Sequence, residues 1–206
     1  QSSCALAGQG FYVGSTGASE QTACPAGSFS GSGASECDDC AAGTYQDATG
    51  QSSCKLADGG SFDDAMGASE QRECPAGSFS GSASGKCDDC VAGTFQELTG
   101  QSSCALAGQG FYVGSTGASE QTACPAGSFS GSGASECDDC AAGTYQDATG
   151  QSSCKLADGG SFDDAMGASE QRECPAGSFS GSASGKCDDC VAGTFQELTG
   201  QSSCAL

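Results

Sequence analysis

The sequence predicts a small disulfide-rich tandem-repeat protein, an elongated rod of short irregular β-hairpins with little helix and no large hydrophobic core. Three observations predict this class. The 206 residues include 17 Cys and 34 Gly but no Trp. Residues 101–200 repeat residues 1–100 letter for letter. Apolar residues do not recur at the three-and-four spacing of an amphipathic helix. At this cysteine density, bridges replace apolar burial as the main source of order.

The repeat divides each hundred residues into two similar halves. The text Gln-Ser-Ser-Cys recurs every fifty residues, starting at residues 1, 51, 101, 151 and 201. We therefore expect tandem cysteine-rich repeats at 1–50, 51–100, 101–150 and 151–200, with 201–206 opening a further repeat. This pattern is typical of a window from a longer array, and identity over a hundred residues also leaves open an engineered concatemer.

Each fifty-residue repeat contains three modules of 16 or 17 residues. The first six modules begin at Ala7, Cys24, Cys40, Ala57, Cys74 and Cys90. A glycine stands three positions after each start and an aromatic residue five positions after it, as in Gly27 and Phe29. Phe, Tyr and Thr beside Gly-rich turn text predict one short hairpin per module. In the fifth module the turn glycine has moved from the place of Gly33 to Gly85, which predicts a different loop there.

Every third module lacks both of its cysteines. Ala7 and Gln21 replace them in one repeat, and Ala57 and Gln71 in the next. A joint loss is expected if the two positions form one bond, so we predict a bridge from the first to the last cysteine of each module. The predicted pairs are Cys24 with Cys37, Cys40 with Cys54, Cys74 with Cys87, Cys90 with Cys104, Cys124 with Cys137, Cys140 with Cys154, Cys174 with Cys187 and Cys190 with Cys204. Crossed or nested pairings of neighbouring cysteines stay open, and Cys4 is expected to pair with a preceding repeat.

The module text is similar to that of a known class of repeats. Cys24–Phe29 reads Cys-Pro-Ala-Gly-Ser-Phe, the module closes at Cys37, and Cys40–Tyr45 restarts the pattern as Cys-Ala-Ala-Gly-Thr-Tyr. This text resembles the cysteine-rich repeats of ephrin-receptor-like and tumour-necrosis-factor-receptor-like ectodomains, over the entire chain. In such repeats a first-to-last bridge closes the Cys-x-x-Gly-x-aromatic loop, which supports the pairing above. The modules without cysteines depart from the pattern, so we expect them to be less rigid.

Composition excludes several classes of function. The net charge of −20 argues against nucleic acid and anionic membrane as partners. The sequence has no apolar run long enough for a bilayer, so no membrane insertion is expected. Catalysis is not expected because the chain has no His and no nucleophile or phosphate-binding motif. The many cysteines indicate an oxidising compartment, extracellular or at the cell surface.

Two kinds of metal site are suggested by short motifs. Cys-x-x-Cys at residues 37–40 and 87–90 is a zinc motif, but no second pair stands at ribbon spacing and the repeat register gives these cysteines other partners. Aspartate pairs at 38–39, 63–64 and 88–89 could bind calcium weakly, although none matches a calcium-loop spacing. We predict no cofactor and interpret these carboxylates as a solvated face, with weak calcium binding as the alternative.

Carbohydrate is the one modification that the sequence suggests. The chain contains no Asn, which removes N-linked acceptor sites. Clusters of Ser and Thr in a secreted chain are typical acceptors of O-linked glycans. The predicted positions are Ser15, Thr16, Ser30 and Ser32.

The function that these features favour is structural. We predict a component of an extracellular filament, hair or stalk, whose partners are copies of itself in a fibre or bundle. The alternative is a receptor-type stalk with a ligand-binding ectodomain. Near-perfect repetition favours the structural role, because a repeat that carries a specific binding site normally differs in sequence from its neighbours.

Overall fold

All regular structure in residues 4–206 is β-strand. The computed structural model describes residues 4–206, so residues 1–3 of the predicted first repeat lie outside the described residues. The described residues form 22 strands of two residues each and no helix. Residues 4–206 therefore contain no helix that could cross a membrane. The predicted class, short hairpins with little helix, is confirmed.

The strands recur with the module period. In chain order, β1 to β22 are Phe11–Tyr12, Thr22–Ala23, Ser28–Phe29, Asp38–Asp39, Thr44–Tyr45, Lys55–Leu56, Ser61–Phe62, Arg72–Glu73, Ser78–Phe79, Asp88–Asp89, Thr94–Phe95, Ala105–Leu106, Phe111–Tyr112, Thr122–Ala123, Ser128–Phe129, Asp138–Asp139, Thr144–Tyr145, Lys155–Leu156, Ser161–Phe162, Arg172–Glu173, Ser178–Phe179 and Asp188–Asp189.

The chain divides into two compact units. The first consists of Gln1–Cys90, Gln96–Ala105 and Gly117–Ser119, and the second of Val91–Phe95, Leu106–Thr116 and Glu120–Leu206. The first unit contains the antiparallel hairpins β1–β2, β3–β4, β5–β6, β7–β8 and β9–β10. The second contains β13–β14, β15–β16, β17–β18, β19–β20 and β21–β22.

Each hairpin lies within one module and ends immediately before the next module begins. In β3–β4, Ser28 pairs with Asp39 and Phe29 with Asp38, immediately before the next module begins at Cys40. Two-residue strands make too few ladder bonds to be stable alone. The hairpins therefore depend on the bonds and bridges around them.

Main-chain hydrogen bonds join each module to the following one. The N–H of Gly27 donates to the carbonyl of Gln46 at 2.7 Å, and the N–H of Cys40 donates back to the carbonyl of Gly27 at 2.9 Å. The equivalent bond one module later runs from Gly43 to Asp63 at 2.8 Å. Because only backbone groups take part, the side chain at the acceptor position is free to vary from module to module.

The interior is made mainly of cysteine, alanine and serine rather than large apolar side chains. The first cysteine of most bridges is fully buried, as at Cys24 and Cys40, and Ala57 is equally buried where the cysteine is missing. Phe29 and Tyr45 are only partly buried. The prediction that the chain has no large hydrophobic core is confirmed, since its most buried side chains are small.

The fifth module keeps the loop geometry that its sequence predicts it to lose. Ala83 has a φ of 60° and stands where Gly33, with a φ of 78°, stands in the second module. Its N–H donates to the carbonyl of Ala57 at 2.8 Å, as Gly33 donates to Ala7 at 2.8 Å. The expectation of a different loop was therefore wrong. The inter-module hydrogen bond fixes the backbone, and alanine accepts the left-handed conformation.

Candidate functional site

Eight disulfides close the modules. The bonded pairs are Cys24–Cys37, Cys40–Cys54, Cys74–Cys87, Cys90–Cys104, Cys124–Cys137, Cys140–Cys154, Cys174–Cys187 and Cys190–Cys204. In each pair the Cα atoms lie 5.7 or 5.8 Å apart, and the cysteines are 13 or 14 residues apart in sequence. The structure thus has the first-to-last arrangement in every module that contains two cysteines. Within residues 4–206, Cys4 is the free cysteine, and it is exposed.

The bridges of two adjacent cysteine-containing modules are connected almost directly to each other. Only Asp38 and Asp39 separate Cys37, which ends one bridge, from Cys40, which begins the next. Closing a loop of this length stabilises the folded chain by roughly 3 kcal/mol, chiefly by restricting the unfolded state. The bridges therefore supply local stability in closely spaced pairs, and a module without cysteines separates one pair from the next.

A glutamine takes over the closing role in the modules that lack a bridge. The Oε1 atom of Gln21 accepts a hydrogen bond from the N–H of Gly8 at 2.8 Å. Gln71 is held twice by Asp58, whose N–H donates to Oε1 at 2.8 Å and whose Oδ2 accepts from Nε2 at 2.8 Å. This closure was not predicted from the sequence. The sequence does contain a signal for it, because positions 21 and 71 both carry glutamine and not simply some polar residue.

The exposed charges form isolated pairs on the surface. Lys55 donates to Asp47 at 2.6 Å, Lys86 lies 2.8 Å from Asp88, and Arg72 pairs with Asp64. The hydrogen bond from Lys55 lowers the pKa of Asp47 and, in return, raises the pKa of Lys55. Such exposed pairs contribute little stability because solvent screens them.

The described residues do not assemble a metal site. Nowhere in residues 4–206 do three or more His, Cys, Asp or Glu side chains converge in a way that could hold an ion. The cysteines of both Cys-x-x-Cys motifs are in disulfides. Weak calcium binding by the exposed pair Asp38–Asp39 stays a prediction.

One aspartate is not part of the solvated face. Asp63 is 2% exposed, whereas its neighbour Asp64 is exposed. The Oδ1 atom of Asp63 accepts a hydrogen bond from the N–H of Ala65 at 3.1 Å, but Oδ2 is buried without a hydrogen-bond partner. Asp163 repeats this arrangement. The interpretation of residues 63–64 as a solvated pair was therefore wrong for Asp63, because this position follows strand β7 into the module interior.

The predicted glycan acceptors differ in accessibility. Ser30 is 1% exposed, and its hydroxyl donates to the carbonyl of Phe11 at 3.0 Å. A sugar on Ser30 would have no room in the folded chain, so that candidate was wrong. Ser15 and Thr16 are exposed, and Ser32 is exposed while donating to the carbonyl of Ala7 at 3.2 Å. Glycosylation at these three positions stays a prediction.

Comparison with known proteins gives one family. No curated protein matches the sequence. The family model described as "Tyrosine-protein kinase ephrin type A/B receptor-like" matches residues 27–74, 77–124 and 127–174. These segments begin fifty residues apart, in register with the repeat, and together cover more than half of the chain. Disulfides of this density and membership of this family are features of an extracellular cysteine-rich module. The chain therefore belongs to the ephrin type A/B receptor-like family, in agreement with the module text and its bridges.

Proposed function

We propose that the protein is a structural component of an extracellular filament, hair or stalk. The observation that carries this proposal is the recurrence of one backbone interface. The N–H of Gly27 donates to the carbonyl of Gln46, and fifty residues later Gly77 donates to Gln96 at 2.8 Å. An interface in which one face of a module binds the opposite face of the next can be extended without limit, because it has no closing symmetry.

A repeated apolar position supports association between copies. Leu56, Leu106 and Leu156 stand at the same place in successive repeats and are 61%, 62% and 59% exposed. One favourable contact at such a position between neighbouring copies would be repeated every fifty residues. Because the contacts are regularly spaced, their individually weak contributions would sum and stabilise a fibre or bundle.

The surface chemistry supports this assignment over other partners. The net charge of −20 disfavours binding to nucleic acid or to anionic lipid. The disulfides support an extracellular or cell-surface location, since reducing compartments keep thiols free. We propose that the protein is not an enzyme, needs no cofactor and takes copies of itself as partners.

The family description favours a second candidate function. It names an ephrin-type receptor, and a receptor-type stalk that presents a ligand-binding surface would use the same modules. A binding surface requires one repeat to differ from the others. Residues 101–200 instead copy residues 1–100 without a change, which supports the structural role.

Electron microscopy of the purified protein tests the proposal. Fibres or bundles with a regular axial repeat are expected, and isolated particles that bind one protein partner would support the receptor-type stalk instead. Replacing Leu56, Leu106 and Leu156 by Ser is expected to reduce bundling. Leu98→Ser with Leu198→Ser is the matched control, because these leucines are 63% and 64% exposed at a different position.

A further inference from the structure

Each bridge of the internal modules has one inaccessible cysteine and one accessible cysteine. The first cysteine of the bridge, such as Cys24 or Cys40, is 0% exposed. The second cysteine, such as Cys37 or Cys54, is partly exposed. A thiolate cleaves a disulfide by attacking one of its two sulfur atoms, so access decides which sulfur reacts. Exchange between the folded chain and an external thiol is therefore restricted to the second cysteine.

The two cysteines of a bridge also differ in how the backbone holds them. The N–H of Cys40 donates to the carbonyl of Gly27 in the preceding module at 2.9 Å, whereas Cys54 makes none of the main-chain bonds between modules. The segment around Cys54 is held from its own module, because Nε2 of Gln46 donates to the carbonyl of Ser53 at 2.7 Å. Cleavage of the bridge therefore leaves the bonds between modules in place.

The charges around the accessible cysteines differ from bridge to bridge. Cys37 follows Glu36 and precedes Asp38 and Asp39, and all three acidic residues are exposed. None of the three carboxylates forms an ion pair within residues 4–206. A thiolate that carries further negative charge is repelled by such a cluster.

Cys54 lies in a nearly neutral environment. Ser53 precedes it and Lys55 follows it. The Nζ atom of Lys55 lies 2.6 Å from Oδ1 of Asp47, so the two charges beside this cysteine cancel. An anionic thiolate therefore approaches Cys54 with less repulsion than it meets at Cys37.

The other accessible cysteines of the first hundred residues are intermediate. Beside Cys87, Lys86 pairs with the first of the two following aspartates at 2.8 Å and leaves the second uncompensated. Beside Cys104, Ala105 stands in place of a lysine, and Glu97 has no ion-pair partner in the described chain. The local charge thus ranks the sites, with Cys54 the most accessible to an anion.

We propose that Cys54 and its copy Cys154 are the sites at which an anionic small thiol, such as glutathione, attaches to the folded chain. The thiolate attacks Sγ of Cys54, a mixed disulfide forms, and the Cys40–Cys54 bond breaks. Cys40 leaves as a thiolate and takes up a proton from water. One disulfide and one thiol are present before and after, so no oxidant is needed. This site does not depend on the self-assembly proposed above.

Brief incubation of the folded chain with glutathione at low ionic strength tests the site. Cys4 is alkylated with iodoacetamide beforehand, so that it takes no part in the exchange. The reaction is stopped with N-ethylmaleimide in denaturant, and peptides are analysed by mass spectrometry. We expect glutathione on Cys54, maleimide on Cys40 and about tenfold less glutathione on Cys37. Because residues 101–200 copy residues 1–100, each peptide reports on both copies.

Two results of this experiment would overturn the proposal. Equal amounts of glutathione on Cys37 and Cys54 would show that the local charges do not select the site. Glutathione on Cys40 as often as on Cys54 would show that exchange follows unfolding, because unfolding makes both sulfur atoms accessible.

Salt and a cationic thiol separate charge from simple access. At about 1 M salt the Debye length is about 3 Å, and the difference between Cys37 and Cys54 is expected to fall below about twofold. Cysteamine, whose ammonium group offsets the thiolate charge, is expected to label both cysteines to a similar extent. A tenfold preference that survives both changes would contradict selection by charge.

A lysine substitution tests the neutral environment of Cys54. Lys55→Gln, made in both hundred-residue copies, leaves Asp47 unpaired and is expected to reduce the labelling of Cys54 several-fold. Lys86→Gln in both copies is the matched control, because it changes the net charge of the chain by the same amount at a different bridge. An equal reduction at Cys54 in both variants would contradict a local effect.

Neutralising the acidic cluster provides the converse test. Glu36→Gln, Asp38→Asn and Asp39→Asn, combined in both copies, are expected to raise the labelling of Cys37 about tenfold, to the level of Cys54. Circular dichroism checks that this variant keeps the fold. Labelling of Cys37 that stays low in the folded variant would overturn the selection of Cys54 by charge.

Discussion

Ala83 adopts a left-handed backbone conformation, which is energetically unfavourable for residues that have a Cβ atom. Its φ is 60°, and Ala183 repeats it at 61°, while Gly33 occupies the same place at 78°. Because glycine carries no such penalty, Ala83→Gly together with Ala183→Gly is expected to raise stability by about 0.5–1 kcal/mol per site, net of the greater freedom of glycine in the unfolded chain. Thermal unfolding followed by circular dichroism measures the change.

The reverse substitution provides the control. Gly33→Ala with Gly133→Ala is expected to lower the melting temperature by a similar amount, because it introduces the same penalty at both places. A melting temperature that falls in Ala83→Gly would show that the alanine methyl groups contribute packing that outweighs the backbone penalty.

Asp63 leaves one carboxylate oxygen buried without a hydrogen bond. Asn in its place keeps the acceptor for the N–H of Ala65 and removes the charge. Asp63→Asn with Asp163→Asn is therefore expected to raise the free energy of unfolding by about 1 kcal/mol per site, because burying a carboxylate with one unpaired oxygen costs more than burying a neutral amide. Denaturant titration measures it, with the exposed Asp64→Asn as control. A loss of stability larger than that of Asp64→Asn would contradict the assignment.

Burial of single residues was the least predictable feature of the sequence. Ser30 and Asp63 were interpreted as surface positions, and both are buried. Each of them directly follows the aromatic residue of its module and stands six positions after the first residue of that module. Strands of two residues are too short for an apolar and polar alternation to show which side faces inward. The signal was available only in the comparison of modules, where Val13 occupies the same position.

At the scale of the module, closure by Gln71 and closure by a bridge should be interchangeable. Ala57 is as buried as Cys24, the cysteine at the same module position. The double variant Ala57→Cys with Gln71→Cys is therefore expected to form a ninth bridge. Loop closure contributes roughly 3 kcal/mol, and the loss of the two hydrogen bonds between Gln71 and Asp58 costs about 1 kcal/mol each, so the net gain in stability should be about 1 kcal/mol. Thiol counting and denaturant titration measure both effects.

The single variants serve as controls for this module. Gln71→Cys alone removes the hydrogen bonds with Asp58 and is expected to destabilise the module by about 1 kcal/mol per bond. Two additional free thiols in the double variant would show that the modules without bridges have a different register.

The disulfide connectivity is itself a testable prediction. A digest under non-reducing conditions is expected to yield a peptide pair that joins Cys24 to Cys37 and another that joins Cys40 to Cys54, as in the structure. The joint loss of both cysteines in every third module favours this pairing. A peptide that joins Cys24 to Cys40 would contradict it.

Module-level features were predictable to different degrees. The disulfide pairing could be predicted from the modules in which both cysteines are missing. Two positions that lose cysteine together are expected to be bonded to each other where both cysteines are present. The closure by Gln21 and Gln71 was not predicted, since a hydrogen bond from a backbone N–H to a side-chain oxygen requires a distance that the sequence does not contain. The retained loop at Ala83 was missed because the glycine shift was considered without the inter-module hydrogen bond.

At the scale of the whole molecule, order depends on short covalent loops and repeated backbone bonds. The sequence predicted the period, the absence of a large core and the hairpin class, because these follow from composition and repetition. It did not predict which backbone groups join successive modules. Those bonds, such as Gly27 N–H to Gln46 O, involve groups that every residue possesses.

The relative contribution of bridges and apolar burial is the central question for this molecule. Amide hydrogen exchange and limited proteolysis, measured at neutral pH before and after reduction and alkylation of the disulfides, address it directly. We expect reduction to abolish amide protection and protease resistance in all modules, since the buried side chains are mainly cysteine, alanine and serine. Protection that survives complete reduction would show that packing and hydrogen bonds hold the chain without its cross-links, and would contradict this account.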